Sequence, residues 1–308
     1  MDRRHFLATT TTVAAALAFR RPAAAAAQAP AQPAAAAPLV TKFEEVRRGV
    51  GIFIGNGGTI GYLINGDGAM AVDSQFLDGG TACVAGLKER SPKGPQLLFN
   101  SHQHPDHTKG NFAFRPLVKK IVAHKTCAEW HRKIAEQDKT TAQEAFADTT
   151  FTDAHTEKFG DETIEARYFG AGHTGGDAVI SFQQANIVHM GDLLAIKAHP
   201  NIDRPVGASV RSWISVLEKV SSRASNDTVF IAGHGKDGVV LAKKADVLAF
   251  RNYFTTVLDH VQKGIQAGQS KEEVQKLQAV KGFEDYIVRN PRFSLAFVLG
   301  VCYDELKA

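Results

Sequence analysis

Between positions 100 and 107 the chain reads Asn-Ser-His-Gln-His-Pro-Asp-His. Four potential metal ligands, His102, His104, Asp106 and His107, fall within six residues, directly after the apolar run at 96–99. His102 and His104 are two apart, so in extended chain both imidazoles point to one side. Asp106 and His107 follow the turn at Pro105 and can approach from another direction. One short loop can therefore feed two adjacent metal positions. A fold for this chain must place that loop where ligands from distant segments can join it.

Three later segments offer such ligands. Gly170-Ala171-Gly172-His173-Thr174-Gly175-Gly176-Asp177 sets a histidine in a Gly-rich loop between strands. His189-Met190-Gly191-Asp192 sets a carboxylate at a strand end, and Ala232-Gly233-His234-Gly235 sets another histidine after the strand at 228–231. Each sits where a strand exits into a loop, the place where functional groups gather on a rigid scaffold.

The rest of the pattern supplies that scaffold. Short β-branched runs at 51–54, 59–64 and 69–72 alternate with Gly-rich turns and predict a meander of hairpins. A helix is expected at 80–90, a strand at 96–99, a loop at 100–110, a strand at 121–123 and a helix at 125–137. Strands follow at 163–169, 178–183, 186–190 and 228–231. The helix at 210–222 carries Trp213, Ile214 and Leu217 on one face. A long amphipathic helix at 243–264 has Ala245, Leu248, Tyr253, Val257 and Val261 as core positions, and helices at 271–280 and 293–306 complete a helical tail. Two similar halves of mixed strands and helices suggest two sheets packed face to face with helices outside.

The order H-x-H-x-D-H, G-H-T, G-D at a strand end and G-H-G, from about residue 45 to 240, resembles the metallo-β-lactamase superfamily. Asp73, closing the run Ala69-Met70-Ala71-Val72, matches that family's early structural aspartate. The resemblance implies an α+β fold, an αββα sandwich. It implies that His102, His104 and His173 hold one metal, that Asp106, His107 and His234 hold a second, and that Asp192 bridges them. Five imidazoles and two carboxylates without a thiolate suit two Zn²⁺, with iron and manganese as alternatives. The activity implied is hydrolysis of a small-molecule ester, thioester, lactone or lactam by a metal-bridging hydroxide, with Asp106 as ligand and catalytic proton acceptor. Thr174 and Asp177 are expected to orient the ligands. An aspartate at the bridging position looks more like glyoxalase II-type thioesterases and lactonases than true β-lactamases, and a periplasmic β-lactamase stays an alternative. An iron-dependent redox enzyme, persulfide-dioxygenase-like, would use the same ligands.

Residues 1–27 resemble a twin-arginine export signal, with Arg3 and Arg4 ahead of an apolar stretch too short to span a bilayer. Residues 28–40, rich in Ala and Pro, read as a linker, and 41–308 as the metallo-β-lactamase-fold domain, with a helical tail at 245–308. The expected location is the periplasm, without stable membrane insertion after cleavage. Four arginines against one aspartate before residue 28 supply +3 of the formal charge of +4, so the remainder is nearly neutral and gives no argument for a nucleic-acid partner. No insertion between His173 and His234 is long enough to clamp a nucleic acid; the expected partner is a small-molecule substrate. Cys83, Cys127 and Cys302 form no C-x-x-C pair and are expected as buried thiols. Trp130 and Trp213 are expected in the core, His189 as packing, and His199 as an ordinary residue.

Overall fold

The N-terminal strands are antiparallel because short turns of two to five residues join them. In the computed structural model, which describes residues 39–308, β1 (Lys42–Arg47), β2 (Val50–Ile54), β3 (Ile60–Asn65) and β4 (Gly68–Val72) pair in sequence order. Helix α1 (Leu77–Arg90) then crosses to β5 (Pro95–Asn100), parallel to β4. Two short helices, α2 (Pro105–Thr108) and α3 (Asn111–Phe114), lead to β6 (Lys120–His124), then α4 (Lys125–Gln137) and β7 (Thr149–Phe151). β5, β6 and β7 are parallel and close a seven-stranded sheet.

The second sheet starts with β8 (Ala154–Phe159), β9 (Glu162–Tyr168), β10 (Ala178–Phe182) and β11 (Ile187–His189). A two-residue strand, β12 (Ala195–Ile196), and α5 (Val210–Arg223) precede β13 (Val229–Ile231), which pairs parallel to β11. β14 (His234–Gly235) pairs with β12, and β15 (Leu241–Ala242) ends a six-stranded sheet of order β15-β13-β11-β10-β9-β8. Helices α6 (Lys244–Gln266), α7 (Lys271–Val274) and α8 (Leu295–Lys307) finish the chain.

Three apolar layers hold these elements. Between the sheets, Ile52, Met70, Val72, Phe99 and Val122 meet Ile164, Ile180, Phe182 and Ile231. Outside the first sheet, Phe53, Leu98 and Ile121 pack on Cys83 and Leu87 of α1 and Cys127 of α4. Outside the second, Val179 and Phe230 pack on α5, α6 and α8 through Trp213, Leu217, Phe250, Phe254 and Leu299. The result is the expected αββα sandwich with a helical C-terminal region.

The differences from expectation have local causes. β1, β7 and β8 were not legible: β8 (Ala-His-Thr-Glu-Lys-Phe) is half exposed and polar enough to pass for loop. The loop at 100–110 contains a helical turn, because Pro105 is fit for a first helical position. The helix expected over 271–280 stops at Val274. In α6 the buried stripe is Val247, Phe250, Phe254, Val257 and Val261, with Tyr253 beside it, whereas Ala245 is exposed. Trp130 is half exposed and lies under the ammonium of Lys133, 4.2 Å from its ring. The three cysteines are buried and unpaired. The export and linker segments lie outside the described residues, apart from Leu39 and Val40.

Candidate metal centre

Parallel pairing aims the ligand loops at one place. Asp73 directly follows β4, the H-x-H-x-D-H loop follows β5, Asp192 follows β11 and His234 follows β13. β4 and β5 run parallel, as do β11 and β13, so each pair delivers its loops at the carboxyl ends of its strands. His173 comes from the loop between β9 and β10.

Seven donors gather there in two groups. In the first, His104 Nδ1 lies 3.1 Å from His102 Nε2 and 2.8 Å from His173 Nε2, with Asp192 Oδ2 3.6 Å from His173 Nε2. In the second, His234 Nε2 lies 3.0 Å from Asp106 Oδ2 and 3.4 Å from His107 Nε2. Asp192 Oδ1 lies 3.1 Å from His107 Nε2 and 3.5 Å from His234 Nε2. The two oxygens of Asp192 thus face different groups. Within each group, the atoms lie inside 4.8 Å of one another.

The opposite edges of the rings fix their tautomers. His173 Nδ1 donates to the Asn201 carbonyl at 2.9 Å, and His104 Nε2 donates to Asp203 at 2.8 Å. Ser101 Oγ donates to Asp73 at 2.7 Å and so accepts from His102 Nδ1 at 3.0 Å. His107 Nδ1 donates to Asp73 at 2.8 Å. In their neutral forms these four rings turn lone pairs toward each other. Burial, then the neighbouring imidazoles, holds His102 well below the ordinary histidine value, and burial followed by His104 pushes His173 down to about 4. Lone pairs at 2.8–3.1 Å repel unless a cation sits between them. Asp192 Oδ1 is buried and has no hydrogen bond of acceptable geometry, which buried carboxylates rarely tolerate. Burial opposes ionisation of Asp106 and Asp192, yet His107 and His234 hold both carboxyls well below their usual range. Burial lowers His107 as well, but Asp192, Asp106 and Asp73 together raise it, so a proton supplies the positive charge that these carboxylates demand. The donor set fits two divalent cations of borderline softness.

Small residues make room for the donors. A Cβ on Gly58 would stand 2.2 Å from His107 Cε1, and one on Gly233 would stand 2.0 Å from Asp192 Oδ1. Asp73 adopts a left-handed φ of 65°, stabilised by hydrogen bonds from Ser101 and His107.

All seven residues expected as ligands are brought together. Among the described residues Thr174 and Asp177 hydrogen-bond to no ligand ring: Asp177 accepts from Thr174 Oγ1 and from the Thr174 and Gly172 amides, stapling the loop that carries His173. Burial pushes Asp177 up to about 7 against those bonds. His189 packs behind the site and bonds the Thr59 carbonyl through Nε2. The sequence reading missed Ser101, Asn201 and Asp203. A 330 Å³ cavity opens over the donors, walled by Phe76, His199, Arg289 and Phe293.

Comparison with known proteins agrees. The family model of the metallo-beta-lactamase superfamily matches residues 62–234. The chain belongs to the metallo-beta-lactamase superfamily. Two curated members, the type 2 metallo-beta-lactamases of Bacillus sp. (strain 170) and Bacillus cereus, are 32% and 31% identical over 81 residues. That stretch is 26% of this chain and 32% of each relative, so the chain spans about a third of their length. Among solved superfamily structures, the metallo-beta-lactamase from Pontibacter korlensis has a TM-score of 0.59 at 18% identity, over 70% of this chain and 99% of that one. The Hirschia baltica enzyme has 0.57 at 19%, over 70% and 97%. At such identities the shared property is the fold.

Proposed function

We infer that this protein is a dinuclear zinc-dependent hydrolase of small-molecule esters, thioesters, lactones or lactams. The observation that carries the reading is Asp192, with one oxygen facing each group of donors. His102, His104 and His173 would hold one ion, Asp106, His107 and His234 the other, and Asp192 both. When bound, the ions supply Lewis-acid polarisation of a carbonyl and activation of a water.

The chain's own residues do the rest. Asp106 is ionised and part-exposed, with 27% of its side chain open. Its carboxylate is placed to orient the attacking water and accept its proton. Asp73, Asp203 and the Asn201 carbonyl hold three rings with their lone pairs inward, so no reorganisation is needed when substrate arrives. Phe76 and Phe293 line the cavity and give the substrate an apolar surface.

The test is metal analysis of the purified protein, together with turnover of nitrocefin, a lactone and a thioester. Two zinc ions per chain with turnover of any of these is the expected result and names the substrate class. One iron per chain without hydrolysis would overturn the reading in favour of redox chemistry. Asp106→Asn, reloaded with zinc, should lose at least about a hundredfold in kcat, within the range general-base removal gives. Full activity in that metal-replete variant would sink the proton-accepting role.

A further inference from the structure

Tyr253 of α6 is fully buried, and its hydroxyl makes one hydrogen bond among the described residues, to His199 Nδ1 at 2.7 Å. A buried phenol that did not donate would leave its proton unsatisfied. Burial holds the Tyr253 hydroxyl well above its ordinary value, so the proton stays on oxygen. Tyr253 therefore donates, and Nδ1 accepts. Burial also keeps His199 below the ordinary histidine value. A neutral ring accepting at Nδ1 carries its hydrogen on Nε2. His199 is 8% exposed and lines the cavity over the metal donors, and its Nε2 has no protein partner among the described residues. The ring is nearly buried, and its Nε2–H is left for whatever occupies the cavity.

The facing wall comes from the C-terminal tail, outside the segment matched to the family. Ala198 bridges Ile287 in parallel; the His199 amide donates to the Ile287 carbonyl at 3.0 Å, and the Ile287 amide donates to Lys197 at 2.9 Å. Lys197 also pairs with Asp285 at 2.7 Å. This attachment ties the tail to the loop that bears His199. Two residues beyond Ile287, Arg289 lines the same cavity and forms no ion pair or hydrogen bond among the described residues. Asn290 lines it too; its Oδ1 accepts from the Arg292 amide at 3.0 Å, which leaves its amide nitrogen free.

Three unpaired donors, one of them a guanidinium, thus border a cavity whose inner end holds the hydrolytic donors. We propose that Arg289, His199 Nε2–H and the Asn290 amide form a subsite for a carboxylate carried by the substrate, remote from the bond that is cleaved. A guanidinium matches a carboxylate bidentately, and the two neutral donors complete its hydrogen bonding. The substrate is then a small acyl compound with an anionic end. This rests on the hydrolytic reading above.

The test uses the full chain loaded with zinc and two esters of equal length, p-nitrophenyl hydrogen glutarate and p-nitrophenyl valerate. The expected KM for the glutarate ester is at least about tenfold lower. Arg289→Ala should raise that KM about tenfold and leave kcat and the valerate ester within twofold, with Arg289→Lys recovering part of the loss. Tyr253→Phe, which frees the ring to take its other tautomer, should raise only the glutarate KM, by about threefold; a merely structural defect would move both esters together. Equal KM values in the wild type, or a preference that survives Arg289→Ala, overturn the proposal. Calorimetric titration with free glutarate decides the subsite independently of turnover. Tenfold weaker binding to Arg289→Ala supports it; equal binding, or none to the wild type, overturns it. Arg289-dependent glutarate binding without cleavage of either ester, nitrocefin, a lactone or a thioester would leave the subsite standing and remove the hydrolase.

Discussion

His104 and Asp203 are separated by 99 residues and joined by one hydrogen bond of 2.8 Å. The sequence shows why His104 matters and gives no sign of Asp203. The ligands are legible because a metal demands particular atoms in particular loops, so His102, His104, Asp106 and His107 cluster in sequence and His173, Asp192 and His234 sit beside glycines. Their partners answer a looser demand: any acceptor at the right point will hold an imidazole N–H. The Asn201 carbonyl that holds His173 could belong to any residue type. Asp73 was legible as the close of an apolar strand and, through the family resemblance, as a structural aspartate. The carboxylate of Asp203 still has a measurable effect. Asp203→Asn should weaken the more loosely held zinc by about ten- to a hundredfold, the range found when such partners are lost. Competition with a fluorescent zinc chelator reads this directly. Unchanged affinity would mean that Asp203 neither orients His104 nor raises its basicity.

At the scale of elements, helices with a strong apolar stripe were legible, and α4 falls where its periodicity puts it. Short, half-exposed strands such as β7 and β8 were not, because they depend on neighbours rather than on their own pattern. What locks the elements together is also hidden. Glu144, after α4, accepts from His131 of that helix at 3.3 Å and pairs with Lys109, just after α2, at 3.2 Å. It thereby clamps the end of the ligand loop to the outer helix. Burial opposes its ionisation, but His131 and Lys109 prevail and hold its pKa below the ordinary glutamate value. A carboxylate with a depressed folded-state pKa contributes stability above its unfolded value, and that contribution is lost as pH falls through the folded value. Glu144→Gln should therefore cost about 1 kcal/mol near neutrality, discounted for partial solvent access. The gap from wild type should close below about pH 4, near and under the ordinary carboxylate range. Urea melts at the two pH values test this. A gap that persists in acid would assign the loss to packing instead of charge.

At the scale of the whole molecule, the two-sheet plan was legible because each half repeats an apolar-strand and amphipathic-helix alternation that closes only as a layered sandwich. The cavity wall was not, because it joins the loop at Lys197–His199 to Ile287, about ninety residues away, by two backbone hydrogen bonds. The same long-range character makes the metal centre a fastener. Its donors come from loops after β5 and β11 and from loops bounded by β9 and β13, so both sheets meet at it, and in the metal-free protein lone pairs and carboxylates crowd there. A ligand that binds only the folded state at a thousandfold excess over its Kd stabilises by about 4 kcal/mol. For a chain of this size that is a rise of roughly 10 °C in Tm between chelator-treated and zinc-loaded protein. Asp192→Ala removes the donor shared by both groups and should cut that rise by more than half. Scanning calorimetry of the four samples measures the whole comparison. A wild-type Tm indifferent to zinc would mean that the convergence of seven donors does not bind metal in the folded chain, and the hydrolytic reading would fall with it.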